Sequence, residues 1–347
     1  MRLPKASPTL PLLPWELVRK VAQDVVGEDV IEDSEQDRRD DARSLSLVCR
    51  ELRYIGQEAL FHRVTLPHRE LETALATRSA ANVLKRVRRT RWLYRGQDEQ
   101  HDASSSASVF INAIRRMPAL RAVELYYFPP RHLSDIFHPL SFTKVDSLTI
   151  IGDRPDQSYA FKYIDEPHLI LLLGFPRHLA SLNLDLSTLG PDLRHPGLEP
   201  ARYDLHLREL GLGVAGKGLP ANYVLPGVPY HRFLQAVRRS TLESLGLGRS
   251  SGHDGWLRWL GQPDFTSLQA INIMTFTADL DNFLSLLIEI LSFHPTLDSF
   301  AIEVSREVQI DDLPSSTILL PFLSSLPLSL RHIDLPFPFP REVYPYP

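Results

Sequence analysis

From residue 61 onward the chain repeats one pattern: an apolar residue, two others, an apolar residue, one other, and a third apolar residue. Clear copies are Leu120/Val123/Leu125, Val145/Leu148/Ile150, Leu179/Leu182/Leu184, Leu207/Leu210/Leu212 and Leu242/Leu245/Leu247. Leu268/Ile271/Ile273, Leu297/Phe300/Ile302 and Leu330/Ile333/Leu335 follow. Phe61/Val64/Leu66 is a weaker copy, and Val87/Thr90/Trp92 has threonine in the middle. Copies recur about every 30 residues, within the period range of repeat architectures. The last two apolar positions of each copy are separated by one residue, the spacing of a short strand buried on one face. Between copies, Ser108 to Arg116, Tyr230 to Arg239, Leu280 to Ser292 and Thr317 to Ser325 read as helices. Strand, loop and helix in units of this length predict an α/β solenoid with parallel strands inside and helices outside.

The pattern is the short-strand template of a leucine-rich repeat in degenerate form. The asparagine usual three places after the last strand leucine is replaced by Phe128, Asp153, Ser187, Ala215, Ser250 and Phe276. In this register, the side chains flanking the middle apolar position point to the concave face. They include Arg89, Arg91, Glu124, Tyr126, Asn183, Asp185, Asn272, Met274, Glu303 and Asp334. Their mixed charge and varied shape suit recognition of a protein surface, while a merely solvated face has the same composition.

Upstream the periodicity is helical. Pro14 stands where a first turn leaves donors unpaired, and Leu17, Val18, Val21 and Val25 form a one-sided stripe. Leu47, Val48, Leu52, Ile55, Ala59 and Leu60 form a second. A few short helices bury little surface alone, so such a module needs a partner or a fused domain.

Residues 10–66, with an acidic insertion over about 27–41, resemble an F-box, the adaptor-binding module of cullin-RING ubiquitin ligases. The match rests on Leu13, Pro14, Glu16, Leu17, Val48, Cys49 and Arg50, and the exit Glu58 to Leu66 resembles that of fungal F-box-like proteins. The resemblance implies that these seven residues dock a Skp-type adaptor and, through it, a cullin-RING ligase. It also implies a non-catalytic substrate receptor. Residues 67–338 would form the leucine-rich-repeat solenoid that holds an unknown protein target, and 339–347 a proline- and aromatic-rich tail. One rival is a repeat scaffold with no role in degradation.

Composition narrows the choice. A net charge of −4 over 347 residues gives no global pull toward nucleic acid or anionic membrane. One cysteine, Cys49, excludes an internal disulfide and any cysteine-cluster metal site. The 13 histidines show no metal-ligand spacing, so neither metal nor cofactor is expected. Runs such as Leu169 to Phe175 are too short to span a bilayer, and the proline-broken start is no secretory signal, which predicts a nuclear or cytoplasmic protein.

Three motifs compete with this reading. Gly211 to Gly218 fits a glycine-rich phosphate loop, but Gly218 stands where magnesium needs a hydroxyl and prolines follow, so a repeat-linking loop is the default. Gly248 to Gly252 fits a nucleophile elbow on Ser250, the remote serine-hydrolase alternative, yet Gly252 and Gly255 oppose the helix that an elbow requires. Arg78 to Arg95 is basic and carries Trp92 and Tyr94; it suits an acidic or phosphorylated protein segment as well as nucleic acid, which is the less favoured partner.

Overall fold

The computed structural model describes residues 44, 47, 56, 63–66, 84–93, 103–126, 133–151, 169–170, 173–174, 176–184, 204–212, 231–247, 259–275, 280–304 and 315–335. Its strands are β1 (Arg63–Leu66), β2 (Arg89–Leu93), β3 (Ala122–Tyr126), β4 (Ser147–Ile151) and β5 (Ser181–Leu184). They continue as β6 (Glu209–Leu212), β7 (Ser244–Leu247), β8 (Ala270–Thr275), β9 (Ser299–Val304) and β10 (His332–Asp334). All lie in one sheet in sequential order, and every pair is parallel. Parallel neighbours need a crossover between them. Here α1 (Ala103–Arg115), α2 (Leu133–Leu140), α3 (His231–Ala236), α4 (Leu280–Leu291) and α5 (Ser316–Ser325) lie in such crossovers. The chain is therefore an α/β protein built on a sequential parallel sheet, an order consistent with a solenoid.

The middle apolar positions align across the whole sheet. Val64, Thr90, Val123, Leu148, Leu182, Leu210, Leu245, Ile271, Phe300 and Ile333 are successive register partners. A second row runs from Leu66 through Trp92, Leu125, Ile150, Leu184, Leu212, Leu247 and Ile273 to Ile302. Thr90 is as buried as its leucine counterparts. One residue before each of β2 to β9, a carbonyl accepts two N–H groups from the next turn. Arg88 O receives Arg121 N at 2.7 Å and Ala122 N at 2.9 Å, and Asp298 O receives Arg331 N at 2.7 Å and His332 N at 3.0 Å. The sheet begins at Arg63, within the stretch that the sequence reading gave to the N-terminal module.

Helical boundaries differ from expectation for identifiable reasons. α1 starts at Ala103, not Ser108, because Phe110, Ala113 and Ile114 bury one face, with Met117 just past the helix, and carry the low-propensity serines before them. α3 ends at Ala236, not Arg239, since Val237 bridges to Leu205 and a 3-10 turn follows at Arg239–Thr241. The expectation omitted α2. Pro139 lies in its last turn, where only one helical hydrogen bond is lost, and buried Ile136, Phe137 and Leu140 outweigh that cost. The acidic insertion and the tail over 339–347 lie outside the described residues.

Between helices and sheet runs one continuous core. Trp92 meets Phe110 edge-on at 4.4 Å, and Trp259 meets Phe265 at 4.8 Å. His294 is fully buried beside Phe265, and its Nε2 lies 2.9 Å from Leu260 O. A carbonyl only accepts, so Nε2 carries the proton; Nδ1 has no hydrogen-bond partner among the described residues. Burial pushes the imidazole pKa below its ordinary value, against the opposing pull of the Leu260 carbonyl. His294-Pro295-Thr296-Leu297 matches Met117-Pro118-Ala119-Leu120 in place, with Leu297 N bonded to His294 O as Leu120 N is to Met117 O. The histidine thus fills a hydrophobic plug position.

Folding keeps His294 neutral where the unfolded chain would protonate it. Stability is therefore full above the unfolded pKa of about 6.5 and falls as pH drops below it, by at most about 1.4 kcal/mol per pH unit, until the folded pKa is reached. Urea midpoints of His294→Met between pH 7 and 5 should change less than those of the wild type. Its loss of the Leu260 bond costs about 1 kcal/mol at neutral pH. Parallel pH profiles would refute this account.

Candidate protein-binding face

Helices bury one face of the sheet, and the side chains flanking the middle row lie on the other. Along one line across this open face stand Arg91, Glu124, Thr149, Asn183, Gly211, Gly246, Asn272, Ala301 and Asp334. Five of the residues expected there, Arg91, Glu124, Asn183, Asn272 and Asp334, share this line. Arg89 lies in the line before it and Tyr126 in the line after, where Met274 and Glu303 are register partners. Asp185 falls outside the described residues. Asn272 and Asp334 are exposed, whereas Asn183 and Tyr126 are half-buried.

At the β2–β3 end, four expected residues form one cluster. Arg91 Nε donates to Glu124 Oε2 at 2.7 Å, and Arg89 Nε lies 3.7 Å from Glu124 Oε1. The Arg91 guanidinium carbon sits 4.8 Å from the Tyr126 ring centre, a cation–π distance. Glu124 is only 8% exposed, so it holds the two arginines and is not itself offered to solvent. The arginine pair is thus fixed by an internal anion, a role that spacing alone does not reveal. Glu124→Ala removes the acceptor of a part-buried guanidinium and is expected to cost about 1–3 kcal/mol. In a double-mutant cycle with Arg91→Met, the combined cost should be well below the sum. Additive costs would mean that the pair is not coupled.

The middle of the face is floored by small residues. Gly211 and Gly246 are register partners. A Cβ on Gly211 would come within 2.6 Å of Asn183 Oδ1, so glycine there lets the Asn183 amide lie over the next strand. That close approach accounts for the first glycine of the phosphate-loop-like run without a ligand. Gly213 to Gly218 and Ser250 lie outside the described residues.

Along the edge where strands begin, charges pair between turns. Arg208 binds Glu243 through two nitrogens at 2.9 and 2.7 Å, which holds the Glu243 carboxyl below its usual range and raises the Arg208 guanidinium. Hydroxyls add a second link that the sequence reading missed. Thr241 donates to Leu207 O at 3.0 Å, Ser267 to Ser240 O at 2.8 Å and Thr296 to Leu268 O at 2.9 Å. Ser329 donates to Leu297 O and Pro295 O. The signal was present: each hydroxyl directly precedes the first leucine of its copy.

The adaptor set Leu13, Pro14, Glu16, Leu17, Val48, Cys49 and Arg50 lies outside the described residues. Nearby, Ser44, Leu47 and Gly56 are helical. Leu47, the first residue of the second apolar stripe, is 79% exposed. Among the described residues no group of histidine, cysteine and carboxylates could hold a metal, and no helix is long and apolar enough to cross a membrane. No protein-family model matches the chain, and no curated protein matches it.

Proposed function

We propose that the chain is a non-catalytic substrate-recognition subunit of an SCF-type cullin-RING ubiquitin ligase, acting in the nucleus or cytoplasm. An F-box-like segment over 10–66 takes a Skp-type adaptor, and a leucine-rich-repeat solenoid presents its open face to a target protein. The observation that carries this reading is a ten-stranded parallel sheet whose strands β4 to β7 bury alternate side chains and leave the flanking ones at least partly exposed, following a segment that resembles an adaptor-binding module. Polar and charged side chains in ordered rows suit a protein surface better than a concave, mostly apolar ligand pocket does. The exposure of Leu47, directly before Val48, supports an apolar contact at that helix. Ubiquitin transfer then takes place on other subunits, with the target held near the charged conjugating enzyme. Purification of the tagged chain with the ligase inhibited should recover adaptor, cullin and an accumulating target. Recovery of a target without adaptor would favour the scaffold reading and sink this one.

A further inference from the structure

The strand-entrance edge at β2, β3 and β4 combines two features that the open face does not use. The first is charge. Lys85, Arg115, Arg121 and Lys144 are exposed there, on three successive helix-to-strand turns. The turns are adjacent: Arg88 O accepts from Arg121 N, and Arg121 Nη1 donates to Lys144 O at 3.4 Å. Asp146 offsets one cation, lying 3.6 Å from Arg121. A chain with an overall charge of −4 thus concentrates positive charge on one edge. The second feature is Phe142, two residues before Lys144, which is 82% exposed and touched edge-on by His138 at 5.8 Å. A large aromatic left in water beside cations fits the anchor of a contact.

We propose that this edge docks an acidic polypeptide segment that carries an apolar side chain, its carboxylates meeting the cations and its apolar group covering Phe142. The inference is independent of the ligase reading. A nucleic acid fits less well. Among the described residues of this edge a single ring is exposed, which makes no stacking platform for successive bases. The test uses the full chain, a labelled Asp/Glu-rich peptide with one central leucine, the same peptide with serine in that place, and a single-stranded oligonucleotide. Melting curves show that each variant folds. The leucine peptide should bind more tightly than the serine peptide and the oligonucleotide at equal salt. Lys85→Glu/Arg115→Glu/Lys144→Glu should weaken it by about tenfold or more. Phe142→Leu should retain binding, because apolar area suffices, while Phe142→Ser should lose it. Unchanged peptide binding in the charge-reversed variant would overturn the proposal. So would tighter oligonucleotide binding that Phe142→Leu and Phe142→Ser reduce equally, the mark of base stacking.

Discussion

Pro14→Asp combined with Val48→Asp is expected to abolish capture of a Skp-type adaptor. By resemblance both residues belong to the docking surface, one at the Leu13-Pro14 start and one in the Val48-Cys49-Arg50 run. Each substitution would force a carboxylate out of water into an apolar contact with no counter-charge, a cost of several kcal/mol. At about 1.4 kcal/mol per factor of ten, the pair should weaken binding on the order of a thousandfold. Both residues precede the sheet, so its far-UV signature and melting transition should stay near wild type, which separates lost docking from lost folding. The measurement is titration of purified adaptor into wild-type and double-variant protein. Undiminished binding by a folded variant would remove the basis for the adaptor assignment.

The rows of the sheet were legible because a strand buried on one face obeys a local rule. Leu182, Leu210 and Leu245 each sit two residues before a second leucine and three after a first, and parallel neighbours in a sequential order bring like positions together. Even Thr90 could be placed, since its neighbours Val87 and Trp92 fix the register. What local pattern could not show was tertiary override. A proline-bearing segment became α2 because three of its side chains face the core. Glu124, a charged residue in a position expected to meet solvent, is buried by the arginine of the adjacent strand, and no spacing along one strand encodes that partner. His294 is likewise a polar residue by type, and only its alignment with Met117 and its burial show it as core. On the open face the alternation fixed which residues share a surface, but not which hold one another.

Leu210→Ala should cost about 2–5 kcal/mol, near the upper end of that range. Leu210 is 2% exposed in the middle row, with Leu182 and Leu245 as ladder partners on either side. Those neighbours are held by backbone hydrogen bonds from both adjacent strands and cannot easily move in to fill the void. The corresponding change at the far end of the same row should be milder. Ile333 occupies the equivalent position in β10 but is only half-buried, so Ile333→Ala removes less buried surface and leaves less of a cavity. If each turn is stabilised chiefly by its neighbours, the Leu210 defect is also local. Hydrogen exchange should then accelerate first in β5, β6 and β7, with β9 and β10 little changed under mild conditions. Urea unfolding gives the cost of each variant, and exchange mass spectrometry locates it. Equal costs at Leu210 and Ile333, or uniform acceleration over all strands, would mean that the sheet behaves as a single cooperative block, not as a chain of turns coupled to their neighbours.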